Sequence, residues 1–132
     1  MRLLYTRKCV MSGIDYLADT NALIYLLNGN PCMKPYLQEK LHYSIISEME
    51  LLSFYGITET EERGIKKLLS FCNKILLSEE IKEIAISIKK KYKTKLPDAI
   101  VAASAIANNI SLITADKDFI QIKELHLVLI IP

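Results

Sequence analysis

Ile14-Asp15-Tyr16-Leu17-Ala18-Asp19-Thr20-Asn21-Ala22-Leu23-Ile24-Tyr25-Leu26-Leu27-Asn28-Gly29-Asn30-Pro31 is the stretch that decides the fold. Its short apolar run, Ile14 to Ala18, stops at Asp19. A second run, Ala22 to Leu27, then continues to a strong stop at Asn28-Gly-Asn-Pro31, so the stretch predicts a strand, a turn and a helix. The same step recurs downstream, where His42-Tyr-Ser-Ile-Ile46 reads as a strand and residues 47–55 as a helix ending at Gly56. Between them, residues 33–40 predict a short helix, with Pro35 tolerated only in its first turn.

Further along, Thr58-Glu-Thr-Glu61 has the pattern of a capping box opening a helix to about Phe71, and Lys74-Ile-Leu-Leu77 reads as a third short strand. Ser78-Glu79-Glu80 opens another helix, with Ile81, Ile84, Ala85 and Ile88 on one face and lysines at the far end, a charge order that suits the helix dipole. Pro97 sits where a first helical residue is welcome. The following Asp98-Ala-Ile-Val-Ala-Ala-Ser-Ala-Ile-Ala107 is small and apolar almost all round, as a buried helix is. Leu112-Ile113-Thr114 and residues 125–131 supply the last strands. Alternating strands and helices predict an α/β fold, a parallel sheet with helices on both faces.

At 132 residues the chain has room for one core, and residues 14–132 carry the whole pattern. Residues 1–13 contribute nothing to it and read as a loose extension or a mis-called start. The composition, 51% hydrophobic and 24% charged, is that of a soluble globular protein. Seventeen basic against fifteen acidic residues leave a formal charge of +2, so any contact with a polyanion has to be local. Cys9, Cys32 and Cys72 are odd in number and far apart, which suggests neither a disulfide framework nor a zinc site. With no apolar stretch of bilayer length and no secretory pattern, a cytoplasmic protein that does not span a membrane is expected.

Four acids occupy comparable places in this plan: Asp19 after the first strand, Glu50 in the helix after the second, Asp98 at the start of the buried helix, and Asp116 just after Leu112-Ile-Thr114. In an open parallel sheet the carboxyl ends of the strands share one edge, where ligands bind, so acids remote in sequence can converge there. Two like charges about 5 Å apart repel by roughly 3 kcal/mol at an effective dielectric near 20, so such a cluster needs bound cations, protons or nearby bases, and divalent cations are the obvious partner. Hard divalent ions such as magnesium or manganese take oxygen ligands and suit phosphodiester hydrolysis. Each acid also has an ordinary use. Asp19 and Asp98 can serve helix starts, Asp116 with Asp118 can make a solvated turn, and Ser47-x-x-Glu50 can be a capping box, which would leave Glu48 to face the crevice. Thr20, Asn21 and Thr114 stand beside the acids and can orient water or phosphate. The lysine run at residues 89–95 leads directly into Leu96-Pro97-Asp98 and can bring phosphates towards the acids, or can be a solvated helix end.

Leu17-Ala-Asp19-Thr20-Asn21, Ser47-Glu-Met-Glu50-Leu51, Leu96-Pro97-Asp98-Ala99-Ile100 and Leu112-Ile-Thr114-Ala-Asp116-Lys-Asp118-Phe119 resemble, in order, the successive motifs of PIN-domain proteins. The resemblance favours Glu50 over Glu48. It maps Asp19, Glu50, Asp98 and Asp116 onto the family's acidic quartet, which serves as catalytic and metal-ligating set, with Asn21, Thr20 and Thr114 as supporting polar residues. It implies a PIN-like, mostly parallel five-stranded sheet and a ribonuclease dependent on Mg2+ or Mn2+. For a small stand-alone member it further implies a VapC-type toxin with a co-encoded antitoxin, RNA as substrate, and a homodimer. Rival readings are a PIN fold that binds RNA or protein without cleaving, and a metal-dependent phosphatase of the haloacid-dehalogenase kind. The latter needs a second acid two residues after Asp19, where Asn21 stands.

Overall fold

The computed structural model describes residues 13–132, so the reading of residues 1–13 falls almost entirely outside the described residues. Among the described residues five strands form one sheet in the order β3-β2-β1-β4-β5, and every neighbouring pair is parallel. The strands are β1 (Asp15–Ala18), β2 (Lys40–Ser44), β3 (Asn73–Ile75), β4 (Ser111–Thr114) and β5 (Leu127–Leu129). The helices are α1 (Thr20–Leu27), α2 (Ile45–Leu52), α3 (Glu59–Leu69), α4 (Glu79–Lys91) and α5 (Leu96–Ala107). The chain runs outward from the central β1 through β2 to β3, then returns to the other side of β1 for β4 and β5. The sheet's topological switch point therefore lies between β1 and β4, and a crevice opens at such a point beyond the strands' carboxyl ends.

Alternation along the strands divides the core in two. Leu17 and Leu112 face one side, with Ile81, Ala85 and Ile88 of α4, the small residues of α5, and Phe119. Ala18 and Ile113 face the other, with Leu23 and Leu26 of α1, Leu51 of α2 and Leu68 of α3. The small side chains Ala99, Ala102, Ala103 and Ala105 are fully buried, so α5 lies close against the sheet and α4, and its first turn is carried to the carboxyl edge. Pro97 stands in that first turn, where its missing N–H is not needed.

Several element limits differ from the sequence reading, each for a visible reason. β2 ends at Ser44, whose partner Ile75 is the last residue of β3. Beyond it the β-branched pair Ile45-Ile46 has no strand to bond, and it opens α2 instead. Ser44, not Ser47, is therefore the N-cap, its Oγ accepting from Ile46 N at 3.1 Å. The capping box expected at Ser47-x-x-Glu50 does not form, because Ser47 is already inside the helix. The short helix expected at residues 33–40 is a 3-10 helix over Pro31–Tyr36, since Pro35 removes a donor and Lys40 already belongs to β2. The box at Thr58 and Glu61 is present in both directions, at 3.0 and 3.1 Å.

Ser44→Ala tests the revised start of α2. It leaves the partly buried Ile46 N–H without its partner and is expected to cost about 1 kcal/mol, lowering the melting temperature by roughly 3–5 °C in a thermal melt. The same change at a residue already inside the helix carries no cap loss, so an unchanged melt would place the helix start elsewhere.

Candidate active site

Asp19 follows β1 and caps α1, its Oδ1 accepting from Ala22 N at 2.8 Å. Its Oδ2 accepts from the Thr114 hydroxyl, across 95 residues of sequence, and the whole residue is only 7% exposed. Thr114 ends β4, is fully buried, and its Oγ1 accepts from Asp116 N at 2.9 Å. One hydroxyl thus ties the carboxylate after β1 to the backbone after β4, across the switch point. Asp116 in turn accepts from Asp118 N at 2.9 Å and caps the 3-10 helix Lys117–Gln121, while Asp118 itself is exposed.

Glu50 reaches the same edge from α2. Thr20 Oγ1 lies 2.6 Å from Glu50 Oε1 and 2.9 Å from Ser47 Oγ. A carboxylate only accepts, so the single Thr20 proton goes to Glu50 and the fully buried Ser47 hydroxyl donates to Thr20. Ser47 is the residue that sequence reasoning misplaced. Its signal was Ser44, an equally good cap three residues earlier, which frees Ser47 for the helix interior. Glu48 points elsewhere and pairs with Lys74 of β3 at 3.0 Å. Asn21 is exposed in the first turn of α1.

Asp98 stands half-buried in the first turn of α5. Burial raises its carboxyl above the ordinary aspartate range, and the charges of Asp116 and Glu50 raise it further; Lys95 opposes and Asp118 adds to the rise. Burial likewise raises Asp19, the Thr114 and Ala22 hydrogen bonds pull it back, and the charges of Asp116 and Asp98 push it up again. Asp19 and Asp98 thus each feel the charge of Asp116, and Asp98 also feels that of Glu50.

The donor set is all hard oxygen, and its mutual repulsion is of the kind a divalent cation relieves, so these residues fit magnesium or manganese chemically. The set is not closed as it stands. Among the described residues no three His, Cys, Asp or Glu side chains are grouped tightly enough to hold an ion. The reason is visible in the hydrogen bonds, since Asp19 faces Ala22 N and Thr114, and Glu50 faces Thr20. Beside Glu50 and Thr20 opens an apolar groove of about 600 Å³ walled by Ile24, Leu27, Leu51, Phe54 and Ile65.

The family model for the PIN domain matches residues 16–125, from β1 to the turn before β5, and takes in all four acids. This chain belongs to the PIN domain family. No curated protein matches its sequence. Among solved structures this chain is similar to a chain of a toxin-antitoxin complex from Klebsiella pneumoniae, with 34% identity over 86% of this chain and 95% of that chain and a TM-score of 0.74. It is also similar to a chain of VapBC-1 from nontypeable Haemophilus influenzae, at 26% identity over 88% and 98% of the two chains with a TM-score of 0.76. VapBC2 from Rickettsia felis, bound to a DNA fragment from its promoter, shares the fold at 23% identity and a TM-score of 0.78, with 87% and 98% of the chains covered. No helix among the described residues is long and apolar enough to cross a membrane.

Proposed function

We propose that this PIN domain is a VapC-type toxin that hydrolyses RNA phosphodiester bonds with magnesium or manganese. What supports the reading is the shared Thr114 anchor of Asp19 and Asp116, together with the charges of Asp116 and Asp98 acting on Asp19 and those of Asp116 and Glu50 acting on Asp98. A divalent ion, when bound, supplies the Lewis acidity and positive charge that attack by water on a phosphodiester requires. Asp19, Glu50 and Asp98 would hold the ion, and Asp116 would add a further carboxylate or orient a water. Thr114 fixes Asp19 and Asp116 relative to each other, Thr20 fixes Glu50, and Asn21 offers an exposed amide towards the substrate.

Water as nucleophile forms a new P–O bond and breaks the bond from phosphorus to the 3′-oxygen. Products are then expected to carry 5′-phosphate and 3′-hydroxyl ends, with activity lost in EDTA and restored by magnesium or manganese. An internal 2′-hydroxyl attack would want a pair of histidines, and His42 is instead held by Asp15 at 2.8 Å. Product-end analysis on mixed RNA checks this: 2′,3′-cyclic phosphate ends, or cleavage indifferent to EDTA, would overturn the reading, and RNA binding without turnover would favour the non-catalytic alternative.

The similar structures are toxin-antitoxin complexes, which supports an antitoxin as partner of this chain. The apolar groove beside Glu50 is a landing surface of suitable size and chemistry for a segment of such a partner. A second copy of the chain belongs to the same reading, and light scattering of the purified protein tests it.

A further inference from the structure

We infer that Lys93 and Lys95, on the braced loop between α4 and α5, hold the phosphate backbone of single-stranded RNA beside the acid cluster; the identity of this ligand rests on the nuclease reading above. The acids give the carboxyl edge of the sheet a negative field that repels a polyanion, and the chain as a whole carries only +2. Cations that draw RNA in must therefore stand next to the acids. Residues 89–95 contain five lysines and no acid.

Two of those lysines act as braces. Lys89 Nζ donates to Thr94 O at 2.8 Å, and Lys91 Nζ pairs with Glu124 at 3.2 Å. Lys93 and Lys95 are exposed and have no ion pair or side-chain hydrogen bond among the described residues. Their backbone, in contrast, is tied down. Gln121 Nε2 donates to Lys93 O at 3.0 Å, the Tyr92 hydroxyl donates to Glu124 and accepts from Lys123 N at 3.3 Å, and Ala99 N donates to Lys95 O at 2.9 Å. Gln121, Lys123 and Glu124 continue directly from the 3-10 helix that Asp116 caps, and Asp98 lies three residues beyond Lys95. The clamp that fixes this loop thus also fixes it relative to two of the acids. The Lys95 charge already acts on the Asp98 carboxyl.

The ordinary explanation of helix-end lysines covers only part of the run. Lys89, Lys90 and Lys91 occupy the last turn of α4, where the helix dipole favours cations. Lys93 and Lys95 lie past its C-cap, Tyr92, and Lys95 is the N-cap of α5, where the dipole disfavours a cation and where its side chain makes no capping hydrogen bond. An incoming phosphate answers that mismatch.

The test is fluorescence anisotropy of a labelled single-stranded RNA of mixed sequence, titrated in EDTA so that binding is read without cleavage, at several salt concentrations. Lys93→Gln and Lys95→Gln are each expected to weaken binding about fivefold at 0.1 M salt and to reduce the slope of log K against log salt by about 0.7, with both effects adding in the double variant. Lys82→Gln, which removes a lysine already paired with Glu79 and Glu83, is expected to change neither. Wild-type binding without salt dependence, or Lys93 and Lys95 variants that match wild type in affinity and slope, would overturn the inference. A protein that shows the lysine dependence but cleaves no RNA would keep it and overturn the nuclease reading; active variants with unchanged binding would do the reverse.

Discussion

Asp98→Asn is expected to lose RNA cleavage by at least about a hundredfold, more than the 10–100-fold typical of a residue that only supports a metal ligand, and yet to melt a few degrees higher than wild type in EDTA at neutral pH. Burial and the charges of Asp116 and Glu50 raise the Asp98 carboxyl, so its ionised form is a cost to the folded protein that asparagine does not carry. Magnesium is expected to reverse the ranking, because an ion bound at the proposed site would stabilise native wild type by mass action, whereas the variant would lack a ligand. A cap with no part in a metal site would gain nothing from amidation, and wild type would ignore magnesium. Thermal melts of both proteins in the two buffers decide between these outcomes, and a ranking that stays the same in both would count against a clustered metal site.

The same carboxyls set the pH dependence of the ion-free protein. Asp19 and Asp98 both have folded values above the ordinary aspartate value near 3.9, so between that value and their folded ones the native state holds more protons than the unfolded chain. Stability from these two groups is then fully present below the unfolded value and is lost as pH rises through the folded values, the reverse of the usual salt-bridged acid. Melts in EDTA from acid towards neutral pH should show a steeper loss for wild type than for Asp98→Asn, whose amide does not titrate.

Thr114→Val is the second large effect. Valine keeps the shape of a fully buried side chain but removes the hydroxyl that donates to Asp19 and accepts from Asp116 N. A buried carboxylate oxygen then lacks its donor, at a cost of about 2 kcal/mol, and the melting temperature should fall by roughly 6–10 °C. Loss of that donor also pushes the Asp19 carboxyl further up, and cleavage should drop 10–100-fold as for other supporting partners of a metal ligand. Thr114→Ser, which keeps the hydroxyl, should restore most of the activity even where some stability is lost to the missing methyl. Equal activity in the valine and serine variants would show that the hydroxyl only packs.

The alternation of strand and helix was legible because each strand here is a short apolar run closed by a polar or Gly/Pro stop, and the parallel sheet followed from the alternation. Strand ends were less legible. Ile45 and Ile46 carry strand propensity, and what moves them into α2 is the length of β3, a neighbour 30 residues away. Leu76 and Leu77 likewise extend the apolar run of β3, yet the strand stops at Ile75 and leaves both exposed. For the site, the positions of the four acids could be read from their places after strands and at helix starts. What could not be read was the traffic between them. The bond from Thr114 to Asp19, the turn of Glu48 towards Lys74, and the promotion of Ser47 from cap to buried donor all depend on which helix face meets which strand, and no local pattern records that.

The placement of β1 in the middle of the sheet has a consequence for how the protein is made. β1, β2 and β3 are contiguous in the chain and can pair soon after synthesis, but β4, which covers the other flank of β1, begins at Ser111. At a synthesis rate of about 5–20 residues per second, the central strand presents a bare edge for several seconds. Over the first part of that interval the emerging polypeptide carries Asp19 and Glu50, Asp98 follows before β4 begins, and Asp116 and the Thr114 hydroxyl that secures Asp19 come last. The four carboxyls proposed to hold the ion are therefore all in the chain only once β4 has been made, and the anchor of Asp19 arrives with the strand that closes the sheet.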